Sequence, residues 1–365
     1  MKNIRLAFSG VALTLLFAGA AVADDNDRSP VLPQLANSPL QVISTVPSNG
    51  DLNPYGVAFV PQDVAAGGTI HPGDILVSNF NNSANFQGTG STIVAIGTDG
   101  SQRLFFQGQS GIGLTTALGV LRRGVVLVGN LPTTDGTFNT VQQGSLIAID
   151  RSGKQIASFT DASTLDGPWD LTVPEGDDRA MAFVSNALNG TVARLEFDIT
   201  ADGEHITLKR AVNIGTGYLH RGDPAALVVG PTGLVFDKER DELFVASTGD
   251  NAVYAIPAPA TRSAAVDKGN LVYQDAAHLR GPVGLASAHN GDLIATNGDA
   301  VNGDPTQPSE MVEFTRDGKF VAQLSVDTGG QGGAFGIALA GKDDARRFAA
   351  VDDVMNTLKI WKLLN

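Results

Sequence analysis

A short apolar segment recurs six times along the chain, and this repeat limits the architecture more than any other feature of the sequence. Each copy opens with Pro or Ala and one variable residue, continues with a third position that is Gly in five copies, and ends on an aliphatic residue. The copies start 63, 51, 63, 51 and 52 residues apart. They are Pro54–Val57, Ala117–Val120, Pro168–Leu171, Pro231–Leu234, Pro282–Leu285 and Ala334–Ile337. A period of this length indicates structural units that pack side by side.

Each repeat contains further β-rich segments and no helical period. In the first repeat, Asp74–Ser78 and Ser91–Ile96 read as the second and third strands. A polar turn with Asp99 and Gly100 then precedes a fourth strand, since Gly supplies the positive φ that a hairpin needs. Four antiparallel strands in each unit of about 50 residues are typical of a β-propeller. The sequence therefore predicts an all-β fold, a six-bladed β-propeller.

The ends of the chain indicate how the ring closes. From Ala334 onward, 32 residues remain, which is enough for three strands. The segment from Leu40 to Val46 has the same alternating pattern and can supply the missing fourth strand of the last blade. Closure of this kind removes exposed sheet edges. We predict a propeller over residues 39–365 and, because residues 24–38 are rich in Asp and Pro, a disordered leader before it.

The first residues have the pattern of a secretory signal peptide. Lys2 and Arg5 precede the apolar run Leu6–Ala20, and Ala21–Ala23 forms a small-x-small cleavage site. We expect cleavage after Ala23 and a secreted or periplasmic protein. The chain has no Cys, which excludes disulfides and a lipid anchor on a thiol.

The charge of the mature chain limits its partners. Removal of residues 1–23 leaves 23 basic and 38 acidic residues, a formal charge of −15. A charge of this sign and size argues against nucleic acid as a partner. No second long apolar segment follows the signal peptide, so we expect no membrane insertion.

A row of polar residues follows the second strands. In a propeller the loops after strands two and four meet at one mouth of the central channel, where ligands bind. Aligning the repeats places six residues at the end of strand two, namely Asn79, Asn130, Asn186, Thr248, Asn297 and Asp352. These side chains can cap the turn that follows. Alternatively, their oxygens can bind Ca²⁺ or Mg²⁺ or a small polar ligand.

One repeat departs from the Gly of the opening segment, because Asp170 stands where the other five repeats have Gly. A buried carboxylate needs a partner, either a structural Arg or a ligand or cation. Asp170 follows Trp169, and Tyr55 holds the equivalent variable position in the first repeat. We predict a metal site formed by Asp170, Asn186, Asn297 and Asp352. The predicted ligand-binding residues are Asp170, Trp169, Asn79, Asn130, Tyr55 and His220.

Other motifs limit the enzymatic options. Of five His, only His220 and His278 precede opening segments and can approach the mouth, which argues against a three-His zinc centre. His220, with Arg221 and Asp223, forms either a rim cluster or a general base. The chain has no Gly-x-Ser-x-Gly or His-Glu-x-x-His segment. The oxygen-rich loop from Asn297 to Glu310 and two similar long loops, Asn79 to Gly90 and Asn130 to Gly144, together suggest a partial lid at the mouth.

The repeats resemble those of NHL-repeat and SMP-30/gluconolactonase-type six-bladed propellers. The resemblance runs from Leu40 to the C terminus and rests on the Pro-x-Gly-aliphatic openings and on the strand endings Val77–Asn79, Val184–Asn186 and Ala350–Asp352. It implies a divalent cation that is held by Asn, Asp and Glu at the mouth and polarises a carbonyl and a water. Sites of that kind also use a Glu at the start of a first strand, and none of the six openings has one.

Two functions follow from these patterns. The first is a secreted propeller that binds a small polar ligand, a carbohydrate or a protein at its channel mouth. The alternative is a divalent-metal-dependent hydrolase of lactones or esters, of the SMP-30 type.

Overall fold

Six four-stranded antiparallel sheets form the blades of a β-propeller, which confirms the predicted fold class. A computed structural model describes residues 29–174, 180–298, 310–327, 333–341 and 346–363. In blades one to five the strands pair in chain order from the innermost to the outermost, whereas the outermost strand of blade six comes from the N-terminal end of the propeller. Each innermost strand contacts the innermost strand of the next blade, and the last contacts the first, so the ring is closed.

The strands of the first three blades are as follows. Blade one contains β2 (Leu52–Phe59), β3 (Ile75–Asn81), β4 (Thr92–Ile96) and β5 (Gln102–Gln107). Blade two contains β6 (Leu114–Val120), β7 (Val126–Asn130), β8 (Ser145–Ile149) and β9 (Gln155–Phe159). Blade three contains β10 (Pro168–Thr172), β11 (Ala180–Asn186), β12 (Thr191–Ile199) and β13 (Ile206–Thr216), and the short β19 (Val266–Asp267) pairs with β13 in parallel.

The last three blades follow a separate hairpin, β14 (Arg221–Asp223) and β15 (Leu227–Val229). Blade four contains β16 (Pro231–Asp237), β17 (Glu242–Ser247), β18 (Ala252–Pro257) and β20 (Asn270–Tyr273). Blade five contains β21 (Pro282–Ser287), β22 (Leu293–Asn297), β23 (Glu310–Phe314) and β24 (Phe320–Ser325). Blade six contains β25 (Ala334–Ala340), β26 (Arg347–Asp352), β27 (Thr357–Lys362) and β1 (Leu40–Ser44).

The N-terminal strand closes the ring, as the sequence predicts. Strand β1 pairs with β27 in an antiparallel register that runs from Leu40 opposite Trp361 to Ser44 opposite Thr357. The last blade is therefore built from both ends of the propeller. This pairing leaves β27 with a neighbour on each side.

The hydrophobic core lies between the blades. Strands two and three of a blade are covered on both faces, so β3 and β8 are buried along their whole length and do not alternate. Between blades one and two, for example, Leu76 and Ile93 belong to the same buried cluster as Val126 and Ile147. The outer strands have one side towards solvent and are more exposed.

The segment before β1 differs from the predicted disordered leader. Residues 24–28 lie outside the described part of the chain, but Val31–Leu35 forms a short helix, α1. Val31, Leu32 and Leu35 are buried against blades five and six. The three apolar side chains lie within about one helical turn, so they bury one face of α1 although Pro and Asp are frequent in the segment. The composition of the segment does not reveal this spacing. The described residues include no helix long and apolar enough to cross a bilayer.

A buried carboxylate holds α1 in place. Glu313 on β23 accepts hydrogen bonds from the backbone N–H groups of Val31 and Leu32, both at 2.8 Å. Burial raises the pKa of Glu313, and the two backbone donors oppose this increase. The contact joins the start of the described chain to the fifth blade.

We predict that Leu32→Ala lowers the free energy of unfolding by about 2–5 kcal/mol, the usual effect of truncating a buried Leu. Leu32 is 1% exposed, whereas Leu104 on an outer strand is 45% exposed. Leu104→Ala is the matched control and should change stability by less than about 0.5 kcal/mol. Equilibrium denaturation measures both values. Equal stability of Leu32→Ala and the wild type would show that α1 is not docked in solution.

Candidate ligand-binding site at the channel mouth

A cavity of about 340 Å³ opens at the mouth of the channel. The innermost strands form its floor, the loops after the second strands form one wall, and the β14–β15 hairpin forms another. Its volume lies at the small end of the range for ligand pockets, roughly 300–1,000 Å³.

The floor consists of the variable residues of the opening segments. Five of the six blades contribute this residue, as Tyr55, Trp169, Thr232, Val283 and Phe335. The Tyr55 and Phe335 rings stack with centroids 4.2 Å apart, and Trp169 lies 5.9 Å from Tyr55. Because side chains alternate along a strand, the residue before the Gly faces the channel while the Gly faces the next blade.

Five carboxamides form a polar wall on the side of blades one and six. They are Asn53, Asn81, Asn85, Gln87 and Asn356. Asn81 Nδ2 donates to Asn85 Oδ1 at 2.8 Å, and the backbone N–H of Asn53 donates to Asn356 Oδ1 at 2.7 Å. These bonds set the positions of the side chains relative to one another.

Three of these Asn residues have left-handed backbone conformations. Their φ angles are 61° at Asn53, 63° at Asn85 and 53° at Asn356. Asn tolerates this region better than most residues, and such positions are concentrated at functional sites. The backbone conformation thus directs three amides towards one cavity.

Three polar atoms of the lining residues have no hydrogen-bond partner. They are the Trp169 Nε1 donor and the Asn53 and Asn81 Oδ1 acceptors, and all three are buried. A buried polar atom without a partner costs about 1–3 kcal/mol. Native structures contain few such atoms, and these three belong to residues that line one cavity.

The opposite wall is apolar. Ala225, Ala226 and Val228 of the hairpin line it. The hydroxyls of Thr232 and Thr248 lie nearby, but both donate to the Pro282 carbonyl, at 2.9 and 2.7 Å. Among the described residues that line the cavity, Asp353 alone carries a charge. The cavity therefore has one polar side, one apolar side and little charge.

Of the residues predicted to bind ligand, Tyr55 and Trp169 line the cavity, whereas Asn79 and Asn130 are buried inside their blades. Asn79 Nδ2 donates to the Thr45 carbonyl and to Thr92 Oγ1, each at 3.1 Å. Asn130 Nδ2 donates to the Ser145 carbonyl at 3.2 Å. These contacts tie each Asn to a neighbouring strand or connection, and they differ from the predicted bonds to N–H groups of the following turn.

Asn186 and Asn297 join the end of a second strand to the loop before the first strand of their own blade. Asn186 Nδ2 donates to the Thr164 carbonyl at 3.0 Å, and its Oδ1 accepts from the Asp166 N–H at 3.1 Å. Asn297 Nδ2 donates to the His278 carbonyl at 2.7 Å. Both side chains are fully buried and are not among the residues that line the mouth cavity.

Asp352, the last member of the row, is paired within blade six. Its Oδ2 lies 2.9 Å from Lys359 Nζ, and its Oδ1 accepts from the Met355 N–H at 3.1 Å. Within the described ranges, no three His, Cys, Asp or Glu side chains lie close enough to share a metal ion. Asp170, Asn186, Asn297 and Asp352 each have hydrogen-bond or ion-pair partners within the protein, and the cation site that they were predicted to form stays a prediction.

Asp170 bridges two blades. Its Oδ1 accepts from the N–H of Leu171 at 2.7 Å, and its Oδ2 accepts from the N–H of Leu234 on the innermost strand of blade four at 3.1 Å. The described contacts of the carboxylate are backbone donors, where the sequence suggested an Arg or a cation. Burial raises the pKa of Asp170 well above its usual range, although both hydrogen bonds oppose this.

The predicted His220 also lies outside the cavity lining. It is exposed, and its Nδ1 is 3.0 Å from the Tyr218 carbonyl. His278 pairs with Asp275 at 2.6 Å and stacks on Phe320 at the outer strand of blade five. Most of the predicted long loop, residues 299–309, lies outside the described part of the chain.

Sequence reasoning missed the carboxamide wall and the apolar hairpin. Asn81 and Asn85 lie two and six positions beyond the aligned Asn79, in a loop rich in Asn. Asn in a turn predicts a left-handed backbone, and that signal could have identified Asn53, Asn85 and Asn356. The unpaired atoms themselves have no sequence signal, because pairing depends on neighbours from other blades.

Solved structures of several other proteins have a similar fold. The major allergen Mala s 1 of Malassezia sympodialis is 13% identical, with a TM-score of 0.55 over 89% of this chain and 96% of that chain. The calcium-binding protein regucalcin of Agrobacterium tumefaciens is 14% identical, with a TM-score of 0.51 over 87% and 94%. A candidate gluconolactonase is 13% identical, with a TM-score of 0.51 over 90% and 92%.

These likenesses show a shared fold. The chain has the six-bladed propeller architecture of gluconolactonase- and regucalcin-type proteins, as the sequence resemblance implied. The sequence matches no family profile and no curated protein.

We predict that Asp170→Asn removes part of the pH dependence of stability. Because its pKa is raised in the folded state, the Asp170 contribution is full below about pH 4 and is lost as the pH rises through the folded pKa. Asn resembles the neutral acid, so the variant should gain stability relative to the wild type as the pH rises. Urea unfolding between pH 4 and pH 8 measures the difference.

Asp170→Gly provides the comparison for this measurement. It restores the residue of the other repeats but leaves the Leu234 N–H without its acceptor, so it should be about 1–3 kcal/mol less stable than Asp170→Asn. Parallel pH profiles for the wild type and Asp170→Asn would refute a raised pKa.

Proposed function

We propose that the mouth cavity binds a small neutral molecule with hydrogen-bonding groups along one edge and apolar surface along the other. A neutral carbohydrate or a related cyclic polar molecule has this character. The observation that carries the proposal is the set of three unpaired buried atoms, Trp169 Nε1, Asn53 Oδ1 and Asn81 Oδ1. A ligand with one acceptor and two donors would satisfy all three.

The shape and charge of the cavity support a small ligand over a folded partner. A volume of about 340 Å³ encloses a small molecule, whereas protein partners bind over extended surfaces. The lining combines the polar wall with the apolar residues Ala225, Ala226 and Val228, so a ligand with a polar and an apolar part has one preferred orientation. Asp353 is the one charged residue of the described lining, so an anion would lose its hydration without gaining a counter-charge, which favours a neutral ligand over an anion.

A second candidate is a metal-dependent hydrolase of lactones or esters. Its support is the fold shared with a calcium-binding regucalcin and a candidate gluconolactonase. The described residues argue for binding instead, since Asp170, Asn186, Asn297 and Asp352 are used within and between blades. The fold comparison thus favours hydrolysis, and the geometry of the described site favours binding.

The proposal is tested by a binding screen with a matched pair of Trp variants. Trp169→Phe keeps an aromatic ring but removes the unpaired donor together with the five-membered ring that carries it. Trp361→Phe makes the same change at the second Trp, which is buried in blade six away from the cavity. For a neutral sugar or lactone that raises the melting temperature, calorimetry should show about tenfold weaker binding to Trp169→Phe, or about 1.4 kcal/mol. Trp361→Phe should bind as the wild type does.

The same screen separates the two functions. We expect stabilisation by a neutral ligand without turnover, and no change with Ca²⁺, Mg²⁺ or chelator. Lactone or ester hydrolysis that requires a divalent cation would favour the second candidate. If no neutral compound binds, or if Trp169→Phe and Trp361→Phe bind equally well, the cavity is not the site proposed here.

We also propose that the protein is exported. The support is the charged start, the apolar run and the Ala21–Ala23 site of the sequence. Mass spectrometry of material from the medium or periplasm should give an N terminus at Asp24. A chain that retains Met1 and stays in the cytoplasm would contradict export.

A further inference from the structure

The hairpin of β14 and β15 belongs to none of the blades. It forms its own two-stranded sheet, in which Arg221 pairs with Val229 and Asp223 with Leu227. It lies between the outer strand of blade three and the inner strand of blade four, at the mouth. Closing the propeller does not require it, since every blade has its four strands without it.

The hairpin reaches across the mouth to blades one and two. Gln87 Nε2 in the blade-one loop donates to the Ala225 carbonyl at 3.0 Å. The Phe138 ring in the blade-two loop lies directly against Gly222. Leu227 and Val228 are buried in the same hydrophobic cluster as Trp169. The attachment thus consists of one exposed hydrogen bond and apolar contacts.

The backbone of the hairpin is strained where it enters the channel. Leu227 has a φ of +62°, and the N–H of Val228 donates to the Ala226 carbonyl at 2.7 Å across it. This is a γ-turn with positive φ, which is rare and strained for a large side chain. Strain of this kind persists where the surroundings enforce it and occurs often at ligand clamps and switches.

The hairpin is internally rigid, so it can move as one body. Asp223 Oδ1 accepts from the N–H groups of Ala225 and Ala226, at 2.9 and 3.0 Å. Asp223 also pairs with Arg221 at 3.2 Å. Tyr218, which is 1% exposed and donates to the Lys268 carbonyl at 2.8 Å, anchors the chain before the hairpin. Residues 219 and 220 follow it and are exposed, which suits a hinge.

We propose that the β14–β15 hairpin is a lid, which opens to admit a ligand to the mouth cavity and closes to supply the apolar wall. In the closed position seen here, Trp169 is 3% exposed and its Nε1 is buried without a partner. A ligand that bonds to this atom can reach it only after the cover moves. The role of the lid in ligand entry rests on the proposed function, but the motion of the hairpin can be tested without a natural ligand.

Acrylamide quenching of Trp169 fluorescence is the test, because acrylamide is a small neutral amide that must enter the cavity. The full mature chain with Trp361→Phe has Trp169 as its single Trp, and the protein has no Cys. Gln87→Cys and Ala225→Cys then allow a bifunctional methanethiosulfonate to bridge the lid to blade one. Bridging should lower the quenching constant several-fold, and reductant should restore it in the same sample.

A pair of Gln variants provides an independent measurement without a cross-link. Gln87→Ala removes the hydrogen bond to the lid and should increase quenching about two- to threefold by raising the open population. Gln102 also donates to backbone carbonyls, those of Ser44 and Val46, but lies on the outer strand of blade one. Gln102→Ala is therefore the matched control and should leave the quenching constant unchanged.

The possible outcomes separate the lid from the binding proposal. Equal quenching in the bridged and reduced forms, whether both are quenched or both protected, overturns the lid. Equal effects of Gln87→Ala and Gln102→Ala overturn it as well. A neutral ligand that binds with equal affinity and rate to bridged and reduced protein would keep the binding site and reject the lid. If the hairpin moves but no compound in the screen binds, the lid is kept and the binding site is rejected.

Discussion

The close approach of neighbouring innermost strands is the constraint on which the ring depends. A Cβ atom at Gly336 would lie 2.0 Å from the Tyr55 carbonyl oxygen, and one at Gly284 would lie 2.4 Å from that of Phe335. No side chain fits there, so the third position of the opening segment is Gly. Because side chains alternate along a strand, the same constraint turns the preceding residue towards the channel. The aromatic floor of the cavity and the packing of the blades therefore have one origin.

Asp170 is the exception that connects this constraint to the candidate site. Its carboxylate fills the position of the absent Gly and accepts the Leu234 N–H across the boundary of blades three and four. The β14–β15 hairpin arises from the connection between these same two blades. The boundary between blades three and four thus contains both the hydrogen bond from Leu234 to Asp170 and the connection that forms the hairpin at the mouth. Burial raises the pKa of Asp170, because the bridge removes its carboxylate from water.

The candidate site differs from the prediction because two kinds of Asn look alike in sequence. Asn79 and Asn186 lie at the aligned strand ends and hold their blades together, whereas Asn53 and Asn81 face the cavity. Residue type and position in a repeat do not distinguish them, since each kind sits at a turn. The two kinds differ in the atoms that lie next to each amide group in the folded protein. Tyr55 and Trp169 line the cavity because they occupy the variable position of the repeat, which contributes to the cavity lining in five of the six blades.

The sequence by itself determined the six blades, their strand order and the closing role of Leu40–Ser44. These features depend on hydrophobic periodicity and on repeat spacing, which are local properties that add up along the chain. The tertiary structure alone decided that α1 docks on Glu313, that the hairpin crosses to Gln87, and that Trp169 Nε1 is left without a partner. Each of these facts depends on atoms from separate blades meeting in space. Whether a buried polar atom is satisfied is a property of that meeting and not of any single segment.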